Sequence, residues 1–157
     1  MNSKLNPNYI VGFVDGEGCF SVTFNKHESN RLLEVRLIFE IELREDDLEI
    51  LERVKEVFGC GNIYRLNYER YKKWRPHYKY KVSSLKDITT KIIPFFTKYP
   101  LQANKKHSFA LFCKVAELML QKQHLTIDGI ESIKLLKQDL IRDSLDAGNP
   151  HVQWGAE

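Results

Sequence analysis

Apolar and polar residues near the start of the chain follow an order that predicts one helix and then two strands. The apolar stretch after Pro7 predicts a helix over about 7–16, because proline suits the first turn of a helix. Over 19–25 apolar and polar residues alternate, which is the period of a half-buried strand. A polar turn at 27–30 precedes a second alternating run over 34–42, which predicts a strand antiparallel to the first.

The same order of elements returns further along the chain. Apolar residues at helical spacing predict a helix over about 47–58, and two glycines just beyond it end that helix. Alternating runs at 63–68 and 77–83 predict a second hairpin. Three more helices are predicted over about 85–97, 103–121 and 126–144. Pro94 should kink or end the first of these. A loose tail is predicted from about 145 to 157.

The order helix, strand, strand therefore occurs twice, over 7–42 and 47–83. Such a chain predicts an α+β fold of the αββαββα type, with a four-stranded antiparallel sheet. The helices should pack on one face of this sheet and leave the other face open. A length of 157 residues suits one domain of this kind, so residues 1–157 are interpreted as a single domain.

The distribution of charge is more informative than its total. With 24 Lys and Arg against 21 Asp and Glu, the net charge is +3, which by itself does not indicate a nucleic-acid partner. Residues 70–81, however, contain six Lys and Arg and no acid. This segment joins the third and fourth predicted strands, so it is a candidate for contact with phosphates.

Cysteine, histidine and apolar spacing favour some classes of protein over others. The three cysteines lie far apart and are odd in number, which fits a reducing compartment. No pair of Cys or His has the spacing of a structural zinc site. Apolar runs are far shorter than the roughly 20 residues that span a bilayer, and no secretory leader opens the sequence, so neither a membrane partner nor secretion is expected.

Two acids, Asp15 and Glu17, stand at the end of the first predicted helix, and each is followed by a glycine. The C-terminal end of a helix carries partial negative charge, so acids placed there cost stability. A bound cation would offset that cost. This arrangement therefore indicates a helix end that binds a cation.

The segment 9–18, Tyr-Ile-Val-Gly-Phe-Val-Asp-Gly-Glu-Gly, resembles the signature helix of the LAGLIDADG homing endonucleases. In that family a helix rich in small residues ends in Gly-Asp-Gly or Gly-Glu-Gly. The likeness extends to 39–63, to 82–87, to the stretch from Tyr99 to Phe112, and to the last predicted helix. It covers nearly the whole chain and indicates the single-motif type of the family.

The resemblance implies a metal-dependent phosphodiester hydrolase. Glu17, with the main-chain carbonyl of Gly16, would hold Mg²⁺ or Mn²⁺ over the scissile phosphate. Lys105 would be the basic catalytic residue, with Lys106 as its alternative. Near the end of the second strand the family often has a polar residue, and this sequence has Leu43 there. The neighbours Glu40 and Glu42 could substitute for it.

One motif per chain is too little for two strand breaks, so the resemblance also implies a homodimer. The two copies would meet through the motif helix, where Gly12 lets the helices approach closely. Asp15 is expected to cap or bond the partner helix rather than bind a metal. The predicted interface residues are Val11, Gly12 and Asp15.

Double-stranded DNA would be bound by the open face of the sheet, because a β-ribbon fits the major groove. Residues in the basic loop would hold phosphates, which position the protein without reading sequence. The predicted loop contacts are Arg70, Lys72, Lys73 and Arg75. The predicted contacts from the four strands, in order, are Ser21, Thr23, Asn25 and His27; Arg36, Ile38 and Glu40; Arg65 and Asn67; and Lys79 and Lys81.

The leading interpretation is a homing endonuclease that makes a double-strand break in a long pseudo-palindromic target. The second is an intron RNA maturase of the same fold without cleavage activity, which Leu43 alone favours. A third is a protein-binding module, which the polar composition of the open face argues against. The expected place of action is an organelle or the prokaryotic cytoplasm.

Overall fold

The computed structural model describes residues 4–26, 28–29, 32–68 and 75–147. In these ranges ten α-helices and β-strands form an αββαββ core followed by further helices. They are α1 (Pro7–Glu17), β1 (Gly18–Asn25), β2 (Glu34–Arg44), α2 (Leu48–Phe58), β3 (Asn62–Leu66), β4 (His77–Val82), α3 (Leu85–Asp87), α4 (Ile93–Lys98), α5 (Lys105–Leu120) and α6 (Ile127–Ala147). The predicted tail beyond 147 lies outside the described residues.

The four strands form one antiparallel sheet in the order β1-β2-β4-β3. Each αββ unit supplies one outer and one inner strand, and the two units join where β2 pairs with β4. Phe39 of β2 pairs with Phe20 of β1 on one side and with Val82 of β4 on the other, so it takes part in both strand pairings. The predicted α+β class and its four-stranded sheet are confirmed.

The core lies between the sheet and the helices. Alternate residues of the strands, such as Leu37, Phe39 and Ile41, are buried, while their neighbours face the other side. Phe39 is fully buried and stacks on Phe20 at a centroid distance of 5.0 Å. α1, α2 and α5 all contact the same face of the sheet, which leaves the opposite face open.

α1 begins and ends at residues suited to those tasks. The side chain of Asn6 accepts a hydrogen bond from the Asn8 main-chain N–H at 2.8 Å, which caps the first turn, and Pro7 follows it. At the other end the chain passes straight into β1 through Gly18, which is buried. A Cβ on Gly18 would lie 2.6 Å from Val14 Cγ1, so a side chain cannot be placed there without displacing the core.

The helix predicted over 85–97 runs from Leu85 to Lys98 but contains a wider turn in its middle. Residues Ile88–Ile92 form a π-helical segment, in which the Ile93 N–H bonds to the Ile88 carbonyl. Pro94, which has no N–H to donate, follows directly, so the wider turn accommodates it without ending the helix. None of the helices in the described ranges is long and apolar enough to cross a membrane.

Candidate active site and nucleic-acid interface

The open face of the sheet carries the polar side chains of three strands in register. Ser21 stands opposite Ile38, Thr23 opposite Arg36, and Cys19 opposite Glu40. Glu40 is in turn opposite Lys81, and Glu42 is opposite Lys79. Residues paired in this way share a face. The structure therefore brings together, on one surface, the predicted Ser21, Thr23, Asn25, Arg36, Ile38, Glu40, Lys79 and Lys81.

The prediction for β3 is wrong in its register. Arg65 stands opposite Tyr78, and Ile63 stands opposite Tyr80, which is fully buried against the helices. Arg65 therefore belongs to the helix-bearing side of the sheet, at its edge. Asn67 follows the last residue of the strand. The β3 side chains that share the open face are Asn62, Tyr64 and Leu66.

The predicted loop contacts fall mostly on residues that are not described. His27, Arg70, Lys72 and Lys73 lie outside the described ranges. Arg75 is described, and its guanidinium pairs with Asp46 at 2.8 Å. Arg44 pairs with the same carboxylate at 2.5 Å, so this aspartate links the end of β2 to the start of β4.

The end of α1 holds the candidate catalytic groups. Glu17 is the last residue of the helix, and both it and Gly16 are exposed. The Lys105 ammonium, from the first residue of α5, donates to the carbonyl of Gly18. Lys106, the alternative, is exposed, and its main-chain N–H donates to Ala103. Of the two lysines, Lys105 is the one whose side chain contacts the exit of α1.

Cys19, the next residue along β1, links this helix end to the open face. Burial and the nearby Glu40 carboxylate raise the pKa of the Cys19 thiol, while Lys105 and Lys79 oppose the shift. The thiol is therefore protonated at neutral pH. Cys19 stands opposite Glu40, which pairs with Lys79 at 3.5 Å, and it follows Gly18, whose carbonyl accepts from Lys105.

Leu43, the apparent departure from the family pattern, lies away from this site. It stands opposite Tyr78 on the helix-bearing side of the sheet and packs against the core. Glu40, three residues earlier, is the β2 residue that faces Cys19. The interpretation of Leu43 as part of the active site is therefore wrong, and the single feature that favoured a maturase without cleavage activity falls with it.

A charged cluster that the sequence did not reveal crosses the junction of the two αββ units. Glu42 accepts a hydrogen bond from the Tyr68 hydroxyl and pairs with His77 Nδ1 at 3.2 Å and Lys79 at 3.4 Å. Lys79 also lies 3.5 Å from Glu40. Burial raises the pKa of Glu42, but the hydrogen bond from Tyr68 and the Lys79 ammonium outweigh it, so that pKa lies below its ordinary value.

The exposed side of α1 differs from the predicted interface. Val11 is only 5% exposed and belongs to the core of its own chain. Asp15 Oδ2 accepts from the main-chain N–H groups of Gln102 and Ala103, at 2.9 and 3.2 Å. Both side chains thus make contacts within the chain, and their assignment to a subunit interface stays a prediction. The exposed stripe consists instead of Tyr9, Gly12, Phe13 and Gly16, with Phe13 partly covered.

A metal centre made by this chain alone is not present among the described residues. No three His, Cys, Asp or Glu side chains gather there in a way that could hold an ion. Glu17 and the Gly16 carbonyl are oxygen donors of the type that Mg²⁺ prefers. That ion keeps several waters and is usually bound through one or two carboxylates plus substrate phosphates, so one exposed acid fits it.

The protein is thus of the αββαββ class. It has an open polar sheet face, and the acidic end of α1 at the margin of that face is a candidate nuclease site. Residues 10–116 match the family model described as LAGLIDADG endonuclease. The chain belongs to the LAGLIDADG endonuclease family.

Known proteins of this family resemble the chain in sequence and in structure. Probable intron-encoded endonuclease 3 of Neurospora crassa is 35% identical over 135 residues, which is 86% of this chain and 24% of that protein. The meganuclease I-SmaMI bound to cleaved DNA has a TM-score of 0.79 and 34% identity, over 87% of this chain and 45% of its own. I-SmaMI has also been solved on uncleaved DNA in the presence of calcium ions.

A third relative is matched along nearly its full length. The homing endonuclease I-TnaI has a TM-score of 0.78 and 28% identity, and the match covers 87% of this chain and 88% of that one. By contrast, the chain spans only about a quarter of the Neurospora protein and less than half of I-SmaMI.

Proposed function

We propose that the protein is a site-specific DNA endonuclease that acts as a homodimer with a divalent metal. It hydrolyses one phosphodiester bond in each strand of a long pseudo-palindromic target. The observation that carries this proposal is the exposed Glu17 carboxylate at the end of α1, beside Lys105 and at the margin of an open polar sheet. Membership of an endonuclease family supports it.

The chemistry of the helix end suits phosphodiester hydrolysis. Glu17 and the Gly16 carbonyl would hold Mg²⁺ or Mn²⁺, which supplies Lewis-acid charge neutralisation and a more acidic bound water when present. Lys105 brings a fixed positive charge to the carbonyl next to Glu17. A cation held in place before the reaction stabilises the negative charge that develops on the phosphate.

The open face of the sheet is the proposed DNA-binding surface. Its β1 and β2 residues, such as Thr23, Asn25 and Arg36, offer donors and acceptors that suit base edges in the major groove. Tyr64 of β3 is 48% exposed and shares this face. The basic loop residues Arg70, Lys72 and Lys73 are proposed phosphate contacts.

Dimerisation is proposed to use the exposed stripe of α1. Within the described residues, a Cβ placed on Gly12 or on Gly16 would meet no atom within 4 Å apart from its chain neighbours and the nearby backbone of the same helix. Each glycine costs a helix about 1 kcal/mol relative to alanine, and packing within the chain does not require either one. Close approach by a second copy of α1 would require both. Tyr9 and Phe13 stack at 6.0 Å beside them and would be covered by the same contact.

The proposed place of action is within the cell, in an organelle or the prokaryotic cytoplasm. The relative from Neurospora crassa is named as intron-encoded, which supports a role at the DNA of an intron-bearing gene. Intron RNA is a second possible partner of the same fold, but no feature of the described site favours it over DNA.

The test is cleavage of a randomised double-stranded DNA library in Mg²⁺, followed by kinetics on the selected sequence. The wild-type chain should cut both strands of a site with two half-sites, bound by two chains as measured by sedimentation. Glu17→Gln should bind the site with unchanged Kd and cut it about 10²–10³-fold more slowly. Glu56→Gln, which alters an exposed acid near the end of α2, is the matched control and should cut normally.

Two outcomes would contradict the proposal. If Glu17→Gln cuts as fast as wild type, the helix end is not the active site. If the wild-type chain cuts no sequence with Mg²⁺ or Mn²⁺ but retains intron RNA, the protein is an RNA-binding member of the family.

A further inference from the structure

Asp15 joins α1 to the loop that leads into α5. Its Oδ2 atom accepts from two consecutive main-chain N–H groups, those of Gln102 at 2.9 Å and Ala103 at 3.2 Å. The contact spans 87 positions along the sequence. A carboxylate that receives two N–H donors makes charge-assisted hydrogen bonds, which are about twice as strong as neutral ones.

The loop that Asp15 holds leads directly to Lys105. This lysine is the first residue of α5, two positions after Ala103, and its ammonium returns to the Gly18 carbonyl at the end of α1. The Asn104 side chain makes no capping hydrogen bond to the start of α5. The start of α5 and the loop before it are therefore held to the end of α1 by two links, one on each side of Glu17.

We infer that Asp15 is a positioning residue for Lys105 and sets where its ammonium lies relative to Glu17. Asp15 acts through the main chain at 102–103 and does not touch the reacting phosphate. This inference rests on the proposed nuclease function. It also explains why an acid stands at position 15, near the unfavourable end of a helix dipole.

The inference is tested by single-turnover cleavage with enzyme in excess over the selected DNA site. Asp15→Ala should cut about 10- to 100-fold more slowly, because a small misplacement of a catalytic group has effects of that size. Its Kd for DNA should stay within about threefold of wild type, since the open face is unchanged. Asp15→Asn should recover much of the rate, because an amide oxygen also accepts from two N–H groups.

A double-mutant cycle separates positioning from general stability. If Asp15 acts through Lys105, the Asp15→Ala/Lys105→Ala variant should be no slower than Lys105→Ala alone. Equal slowing by Asp15→Ala with and without the lysine would overturn the inference. Gln102→Ala is the matched control, because it removes the Gln102 side-chain bond to the Pro100 carbonyl but keeps the N–H that Asp15 accepts. It should cut at nearly the wild-type rate.

A second measurement does not depend on cleavage. The side-chain nitrogen resonance of Lys105 and the hydrogen exchange of the Gln102 and Ala103 amides can be followed by NMR in wild type, Asp15→Asn and Asp15→Ala. Asp15→Ala should shift the resonance and speed exchange at both amides, whereas Asp15→Asn should change both little, because its amide oxygen still accepts from the two N–H groups. If the wild-type chain cuts no DNA, the proposed function fails, while an unchanged Lys105 resonance in Asp15→Ala overturns the positioning role itself.

Discussion

The two αββ units of the molecule have the same order of elements but differ at the point where helix passes into strand. In the first unit the last helical residue is Glu17, which is exposed. In the second it is Phe58, which is 6% exposed and packs against Phe39 and Phe95 at 5.8 and 4.9 Å. One junction presents a carboxylate, and the other completes the core.

Both junctions are nonetheless held by a lysine from a later helical segment. Lys105 donates to the carbonyl of Gly18, and Lys91 donates to the carbonyl of Gly59 at 2.8 Å. Gly18 has extended backbone, whereas Gly59 has a φ of 64°, the left-handed conformation that commonly ends a helix. The extended exit leaves the last side chain of α1 at the surface. A repeated backbone unit thus presents an exposed carboxylate in one copy and completes the core in the other through a difference of a few residues.

The largest expected effect is a loss of stability at the second junction, where α2 ends at Phe58. Phe58→Ala should lower the free energy of unfolding by about 3–5 kcal/mol, since it removes a buried ring and leaves a cavity. Glu17→Gln should leave that free energy unchanged or raise it by up to about 0.5 kcal/mol, because it removes an acid from the negative end of a helix. Urea unfolding of both variants measures the difference. Equal destabilisation would show that Glu17 has a structural role as well.

The two lysines give the next test. Lys105→Ala should slow single-turnover cleavage by about 10²-fold, because a fixed cation beside the phosphate is lost. Lys91→Ala should cut within about threefold of wild type and lose about 1 kcal/mol of stability, the usual contribution of one hydrogen bond. If the two variants slow cleavage equally, Lys105 supports the fold in the way that Lys91 does and is not part of the active site.

Periodicity predicted the repeated unit because buried strands and helices each repeat apolar residues at their own spacing. Periodicity gave the wrong result at positions where the polarity of a residue does not indicate which face of the sheet its side chain occupies. Arg65 lies on an edge strand that is exposed on both sides, so a charged residue does not identify the open face. Leu43 was misassigned because a shift of one residue in a strand moves every side chain to the other face.

Contacts between residues far apart in the chain also could not be predicted from the sequence. The link from Asp15 to the loop before α5 joins residues 87 positions apart. The Glu42 cluster forms only because β2 of one unit pairs with β4 of the other. The assignment of Glu17 and Lys105 to the candidate site rests on the family resemblance, because the helix-end rule alone pointed to Asp15 and Glu17 equally.

The smallest expected effect concerns the contact between the two units. The pKa of Glu42 lies below its ordinary value of 4.5, so its ionised form stabilises the folded state above about pH 4.5. That contribution is lost as the pH falls through the lowered pKa. Glu42→Gln should therefore be less stable than wild type at pH 7, by less than about 1 kcal/mol because the cluster is partly exposed to solvent.

Thermal unfolding from pH 7 to pH 3 measures this difference. The gap between Glu42→Gln and wild type should close below about pH 4.5, because a protonated glutamate and a glutamine are then alike in charge. Added salt should narrow the gap at pH 7, since it screens partly exposed charges. Glu56→Gln, an exposed acid within the second unit, should show no such closure. A gap that stays constant across this pH range would mean that hydrogen bonding and shape, rather than the charge of Glu42, hold β2 of the first unit to β4 of the second.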